Sequence, residues 1–254
     1  MVKRKDTSWG RVADWYDAHL ENSEDTYQSR VILPNILRIL DLKKDERVLD
    51  LGCGQGFFSR AFLKTGAHVE GCDISEELIQ LAKKESPKEI AFHTASADAL
   101  LFAKNGSFNV VVCILALQNI ENLSGTLSEV ARVLLSDGRF VIVLNHPAFR
   151  IPKFSSWGWD EEGAVQYRRV DRYLSARSAS IDMHPGKQTK QQTISYHCSL
   201  QDFFKAFTKT GFVVTRLEEW ISHKKSEKGP RQFAEDRSRK EIPLFLMLET
   251  QKLF

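Results

Sequence analysis

The chain has 254 residues, 42% hydrophobic and 27% charged, with 14 Gly, 7 Pro and 4 Cys, which excludes collagen-like, mucin-like and disulfide-scaffold proteins. Its 36 Lys and Arg against 33 Asp and Glu leave a net charge of +3, too small beside the total to create a strong field toward nucleic acid or a membrane. Met1 to Arg11 lack the apolar stretch of a secretory signal, and the longest apolar run, Val110 to Leu117, falls far short of the ~18 residues that span a bilayer, so a cytoplasmic protein is expected.

In chain order, Trp9 to Leu40 reads as an N-terminal helical arm. Five short apolar runs follow: Arg47–Leu51, His68–Ile74, Ile90–Ala97, Val110–Leu117 and Arg139–Asn145, separated by helical patterns. Near-continuous apolar strands alternating with helices predict a parallel sheet covered on both faces, because a sheet with one wet face would alternate apolar and polar residues. The predicted helices are Phe57–Thr65, stopping at Gly66, then one capped by Ser75, and Leu123–Leu135 before a Ser136-Asp137-Gly138 turn. The helix after Ser75 carries Glu76 and Glu77 at its positive dipole end and an apolar stripe of Leu78, Leu81 and Ala82.

After Phe149 this rhythm stops for about fifty residues, where Trp157, Trp159, Tyr167 and Tyr173 interleave with Arg150, Arg168, Arg169 and Arg172. It resumes with Ser199 capping a helix over Leu200–Thr210, ended by Gly211, and strands at Phe212–Trp220 and Leu244–Lys252 that flank a charged loop, Ser222–Glu241. The expected organisation is one α/β domain with a doubly wound, Rossmann-like sheet: an arm over 1–43, a core over 44–146 and 199–254, and an inserted cap over 147–198. Cys53, Cys72, Cys113 and Cys198 form no C-x-x-C pair, so buried, inert thiols are expected and no metal site.

The sharpest local signal is Val48-Leu49-Asp50-Leu51-Gly52-Cys53-Gly54-Gln55-Gly56, a strand running into a glycine turn and then a helix. Alternate glycines allow a tight turn and close approach of a nucleotide-like ligand to the backbone, with helix N–H groups facing it. The spacing is G-x-G-x-G, whereas a dinucleotide fingerprint is G-x-G-x-x-G, and Asp50 at the strand end would repel a pyrophosphate. A ligand bearing an ammonium or sulfonium and no phosphate suits that charge better. Asp73 ends the next strand, 21 residues after Gly52, where a carboxylate can take both ribose hydroxyls. Asp98, in Ser96-Ala97-Asp98-Ala99-Leu100, is placed to accept from an adenine amino group.

Residues 44–146 resemble the class I S-adenosylmethionine-dependent methyltransferases through VLDLGCGQG, GCDIS and SADAL. The resemblance implies a sheet order of 3-2-1-4-5-7-6 with strand 7 antiparallel, a role that Leu244–Lys252 fits, and S-adenosyl-L-methionine as cosubstrate. It implies Gly52, Cys53, Gly54 and Gln55 along the methionine, Asp73 and Ile74 at the ribose, and Asp98 with Ala99 at the adenine. Leu115 to Gln118 then lie near the transferring methyl, and Tyr16, in Val12-Ala13-Asp14-Trp15-Tyr16-Asp17, sits in a helix that closes over the cosubstrate. The fourth strand carries Asn109 where the family usually has Asp, at the end away from the ligand.

A sulfonium is already an activated methyl donor, so positioning and exclusion of water are the main demands, and a base is needed only where the acceptor must lose a proton. The candidate bases are His146, ending the fifth strand, and the pair Tyr196 and His197 in the insert. The insert's arginines and rings suit an aromatic or anionic acceptor, and its acidic residues Asp160, Glu161, Glu162, Asp171 and Asp182 argue against RNA. The N/D-P-P-Y/F signature of adenine-N6 enzymes is replaced by Gln118-Asn119-Ile120, and neither Pro-Cys nor Thr-Cys of the cytosine-C5 class occurs. A small-molecule acceptor is therefore expected, in a layout similar to the quinone-biosynthesis branch, with no membrane or nucleic-acid partner. The alternatives are a non-catalytic S-adenosylmethionine-binding protein, an RNA methyltransferase and an NAD-dependent oxidoreductase.

Overall fold

The computed structural model describes residues 25–182 and 192–253. The arm expected from Trp9 begins outside them, and its described part is a π-helical turn, Gln28–Ile32, running into helix α1 (Leu33–Leu40). Pro34 sits in the first turn of α1, where its missing N–H costs nothing, and Ile36, Ile39 and Leu40 are buried.

Strands β1 (Arg47–Leu51), β2 (His68–Asp73), β3 (Ala91–Thr94), β4 (Phe108–Ile114) and β5 (Leu134–Asn145) are parallel to one another. β10 (Phe212–Trp220) and β11 (Phe245–Lys252) complete a seven-stranded sheet in the order β10-β11-β5-β4-β1-β2-β3, with β11 antiparallel to both β5 and β10. Taken as seven strands, this is the expected order and polarity, that of a Rossmann-like methyltransferase sheet.

Alternation along the strands divides the core between the two faces of the sheet. Val110 and Val112 of β4 share one cluster with Ile36 of α1 and with Phe62 of α2 (Phe57–Leu63); Val111 and Cys113 share the other with Leu127 and Val130 of α4 (Leu123–Val133) and with Phe203 and Phe207 of α5 (Leu200–Lys209). Both faces are covered, so each strand reads as a continuous apolar run. Helix α3 (Glu76–Glu85) starts as expected, with Ser75 Oγ accepting from Leu78 N. α5 begins in a capping box in which Ser199 Oγ accepts from Asp202 N and Asp202 accepts from Ser199 N.

Three segments differ from the sequence expectation. β5 starts at Leu134 and takes in Ser136-Asp137-Gly138, with a register break against β4 between Phe108 and Val110. The segment beyond Phe149 forms two hairpins, β6 (Ser155–Asp160) with β7 (Val165–Val170) and β8 (Arg177–Asp182) with β9 (Gln192–His197), neither joined to the main sheet. The charged loop contains helix α6 (Gln232–Glu241), which docks on β7 through Ser238 Oγ donating to Gln166 O at 2.7 Å. The four cysteines are free; Cys53, Cys72 and Cys113 are buried and Cys198 is half-buried. Burial pushes the Cys113 thiol up to about 12, so it stays an unreactive thiol. Among the described residues no helix is long and apolar enough to cross a membrane.

Candidate active site

The C-terminal ends of β1, β2 and β4 meet at the glycine turn. Gly52, Gly54 and Gly56 all have positive φ, at 75°, 56° and 84°. At Gly52 a Cβ would also lie 2.4 Å from Ala116 Cβ, so only glycine lets the loops after β1 and β4 approach each other. Gly52 N and Cys53 N both donate to Cys72 O, at 2.8 and 3.0 Å, which ties the turn to the end of β2.

Asp73 completes that tie. Its Oδ2 accepts from Gly54 N at 3.1 Å and its Oδ1 from Ser75 N at 2.9 Å. Burial pushes the carboxyl up, and these N–H donors pull it back toward the ionised form. Each oxygen retains a lone pair for a further donor.

β4 ends in backbone strain. Leu115 has φ 54°, an uncommon conformation for a residue with a Cβ, while its N–H still donates to Val143 O at 2.8 Å. The chain is thereby turned at Leu115 and Ala116 into a short helical turn, Leu117–Asn119. Beyond it Asn122 Oδ1 caps α4 by accepting from Gly125 N at 3.0 Å, and its Nδ2 donates to Asp98 Oδ2 at 2.8 Å. Asp98 also accepts from Ser96 Oγ. These elements enclose a cavity of about 280 Å³.

Of the residues expected at the ligand, Gly52, Gly54, Asp73, Ile74, Asp98 and Leu115 line that cavity. Asp50, Cys53, Gln55, Ala99 and Gln118 are not on its wall. Asp50 is 1% exposed beneath the turn, where it accepts from Ser59 Oγ at 2.6 Å; burial pushes its carboxyl up to about 7. Gln55 is buried, with Oε1 accepting from Phe57 N at 2.7 Å. Gln118 Oε1 accepts from Asn145 N at 3.1 Å and joins the loop after β4 to the end of β5. Cys53 packs in the core, and Ala99 is exposed in the turn closed by its N–H on Ser96 O. Tyr16 lies outside the described residues.

Neither candidate histidine reaches the cavity wall. His146 is 2% exposed, 2.8 Å from Glu219 Oε1 through Nε2, and its Nδ1 accepts from Ala148 N at 3.2 Å. Burial holds its imidazole below the usual range, against the pull of Glu219. His197 is 5% exposed and donates from Nε2 to Tyr173 O at 2.7 Å. Successive strand residues point to opposite faces, so the residue before it, Tyr196, does line the cavity. Burial and the facing Glu121 carboxylate push the Tyr196 phenol up.

Asn119, Ile120, Glu121 and Asn122 also line the cavity and were not singled out as binding residues. A signal for one of them was present: Asn122 immediately precedes the α4 pattern, the position of an N-cap. Leu78, on the apolar stripe of α3, closes the wall near Ile74.

A family model described as a methyltransferase domain matches residues 49–142. Demethylmenaquinone methyltransferase of Tropheryma whipplei is 30% identical over 179 residues, 68% of this chain and 67% of that protein. Ubiquinone biosynthesis O-methyltransferase of Aromatoleum aromaticum is 33% identical over 97 residues, 37% of this chain and 42% of that protein. The crystal structure of an S-adenosylmethionine-dependent methyltransferase from Mesorhizobium loti matches with a TM-score of 0.70 and 26% identity, over 86% of this chain and 96% of that one. The chain belongs to the class I S-adenosylmethionine-dependent methyltransferases. It is accordingly an enzyme that uses S-adenosylmethionine as its methyl donor, and the cavity suits that molecule: a strand-end carboxylate with lone pairs to spare, a glycine wall and, among the described residues, no basic side chain that would demand a phosphate.

Proposed function

We propose that the protein methylates a small aromatic acceptor of the kind the relatives' names describe, in the cavity between the glycine turn and strand β9. The observation that carries this reading is the composition of the wall. Asp73 and Asp98 come from the end of β2 and the turn after β3, and Leu115, Ile120 and Tyr196 from the loop after β4 and from β9, so one cavity offers both carboxylates and apolar or aromatic surface. In this reading Asp73 takes the ribose hydroxyls, Asp98 with Asn122 borders the adenine, and Gly52 and Gly54 run along the methionine. Asp50, Cys53, Gln55, Ala99 and Gln118 shape the turn and loops without touching the donor through their side chains.

Bound S-adenosylmethionine supplies a methyl group activated by its sulfonium. The chain's own task is to hold the acceptor in line with that methyl and keep water away, which is worth roughly 7 to 11 kcal/mol when geometry is good. We assign the acceptor side to the cap, residues 147–198, because Tyr196 of β9 reaches the cavity. Where the acceptor must lose a proton, the Glu121 carboxylate facing Tyr196 is the group in place to take it. His146 and His197 are committed to Glu219, Ala148 and Tyr173 and act as supports.

The test is release of S-adenosylhomocysteine over a panel of catechols, demethylated quinones and simple amines. Turnover confined to the aromatic hydroxyl and quinone members is expected, and Glu121→Gln should lower kcat by 10²-fold or more. Turnover confined to amines, or none with any member, would contradict the proposal.

A further inference from the structure

β4 and β5 stay in register up to Ile114 and Val143, and the last backbone bond between them is Leu115 N donating to Val143 O at 2.8 Å. Bonds in a parallel ladder are evenly spaced, so the next rung would join Asn145 N to Leu115 O. Leu115, at φ 54°, instead turns the chain out of the sheet. One donor and one acceptor are thereby left in need of new partners, and an unpaired backbone group is costly.

Two consecutive side-chain amides just after the turn supply those partners. Gln118 Oε1 accepts from Asn145 N at 3.1 Å, and Asn119 Nδ2 donates to Leu115 O at 3.3 Å. Side-chain amides suit this task because each carries both a donor and an acceptor. Asn119 N also donates to Ala116 O at 2.8 Å, which closes the turn from within.

The segment held in this way is part of the cavity wall. Leu115 and Ala116 line the cavity before the two amides, and Ile120 and Glu121 line it after them. Ala116 is also pressed against the glycine turn, since a Cβ at Gly52 would lie 2.4 Å from Ala116 Cβ. Gln118 itself is half-buried and lies off that wall. A residue with a Cβ at positive φ persists only where its surroundings hold it there.

We propose that Gln118 is a positioning residue: with Asn119 it clasps Leu115 in its strained turn and so keeps the loop after β4 in the arrangement that admits S-adenosylmethionine. The inference rests on this cavity being the donor site and is independent of the acceptor proposed above. Release of the clasp lets the turn relax, lowers the fraction of chains with a formed cavity and weakens donor binding in the same proportion.

The test is isothermal titration of S-adenosylmethionine into the full chain and its variants, with amide hydrogen exchange read at Asn145 by NMR. Gln118→Met fills the same space without an acceptor; it should weaken binding about fivefold or more and speed exchange at Asn145 by a similar factor, with the unfolding midpoint near that of the wild type. Gln118→Glu keeps an oxygen at that place and should bind within about twofold of the wild type, with Asn145 still protected. Asp73→Ala serves as the control for the cavity itself. Wild-type affinity in Gln118→Met beside a tenfold loss in Asp73→Ala would overturn the clasp and spare the cavity, whereas wild-type affinity in both would remove the donor assignment along with the clasp. Equal losses in Gln118→Met and Gln118→Glu would also overturn it, because the acceptor oxygen would then not be what matters.

Discussion

Strands β4 and β7 both carry valines but place them differently. Val110, Val111 and Val112 of β4 are fully buried, whereas Val165 and Val170 of β7 are 47% and 38% exposed. The central sheet has helices on both faces, so its strands are held by apolar burial, which contributes roughly 1.5 to 3 kcal/mol for each large side chain. Among the described residues the helix that docks on the cap hairpins, α6, buries only Ser238 and brings no apolar layer. Their rings are covered by guanidiniums instead: Trp157 by Arg150 and Arg168, Trp159 by Arg231, and Phe154 by Arg172 and Arg177. Apolar burial therefore concentrates in the sheet and not in the hairpins.

The contrast is broken most forcefully in the core. Phe140→Ala removes a fully buried ring that packs near Phe212 and should cost about 4 kcal/mol in urea unfolding. A loss under about 1 kcal/mol would mean that the two faces of the sheet are not the main source of stability.

The buried carboxyl under the glycine turn gives a pH-dependent effect. Asp50 has its folded pKa raised to about 7 from 3.8, so its contribution to stability is fully present below about 3.8 and is lost as pH rises through about 7. His146 acts in the opposite sense, since its pKa is lowered from 6.5: its contribution is present above that value and is lost as pH falls through the folded pKa. Asp50→Asn should remove the loss between about pH 4 and 7, measured as unfolding midpoint against pH. An unchanged profile in the variant would show that Asp50 is not the group responsible.

A smaller effect is expected at the border between cap and core. Ser199→Ala removes the hydroxyl of the α5 capping box and should cost about 1 kcal/mol. The smallest belongs to the cap itself: Val165→Ala, at an exposed position of β7, should change stability by less than about 0.5 kcal/mol. A cost as large as that of Phe140→Ala would erase the distinction between the two regions.

The same distinction governs what the sequence discloses. The sheet is legible because a strand buried on both faces must be apolar throughout, as in Val110 to Ile114. β9 is not, because its buried residues are Thr193, Ser195 and His197, a polar inward face with no hydrophobic period. α6 escapes for a similar reason: Ser238 is its one buried residue, so the segment looks solvated. Within the site, Gly52 and Asp73 are legible because a positive φ and a strand-end carboxylate are local requirements. Glu121 and Tyr196 meet only because β9 packs beside the Leu117–Asn119 turn, a long-range contact that spacing alone does not reveal. His146 and His197 looked available as bases because their burial and their partners, Glu219 and Tyr173, are also set by tertiary packing.

The central claim is that the cavity under the glycine turn holds the methyl donor through Asp73. Isothermal titration of S-adenosylmethionine into the wild type and Asp73→Ala, with circular dichroism to confirm an intact fold, tests it directly. Affinity at least tenfold weaker in the variant, about 1.4 kcal/mol, is the result predicted. Equal affinity in the two proteins would contradict it.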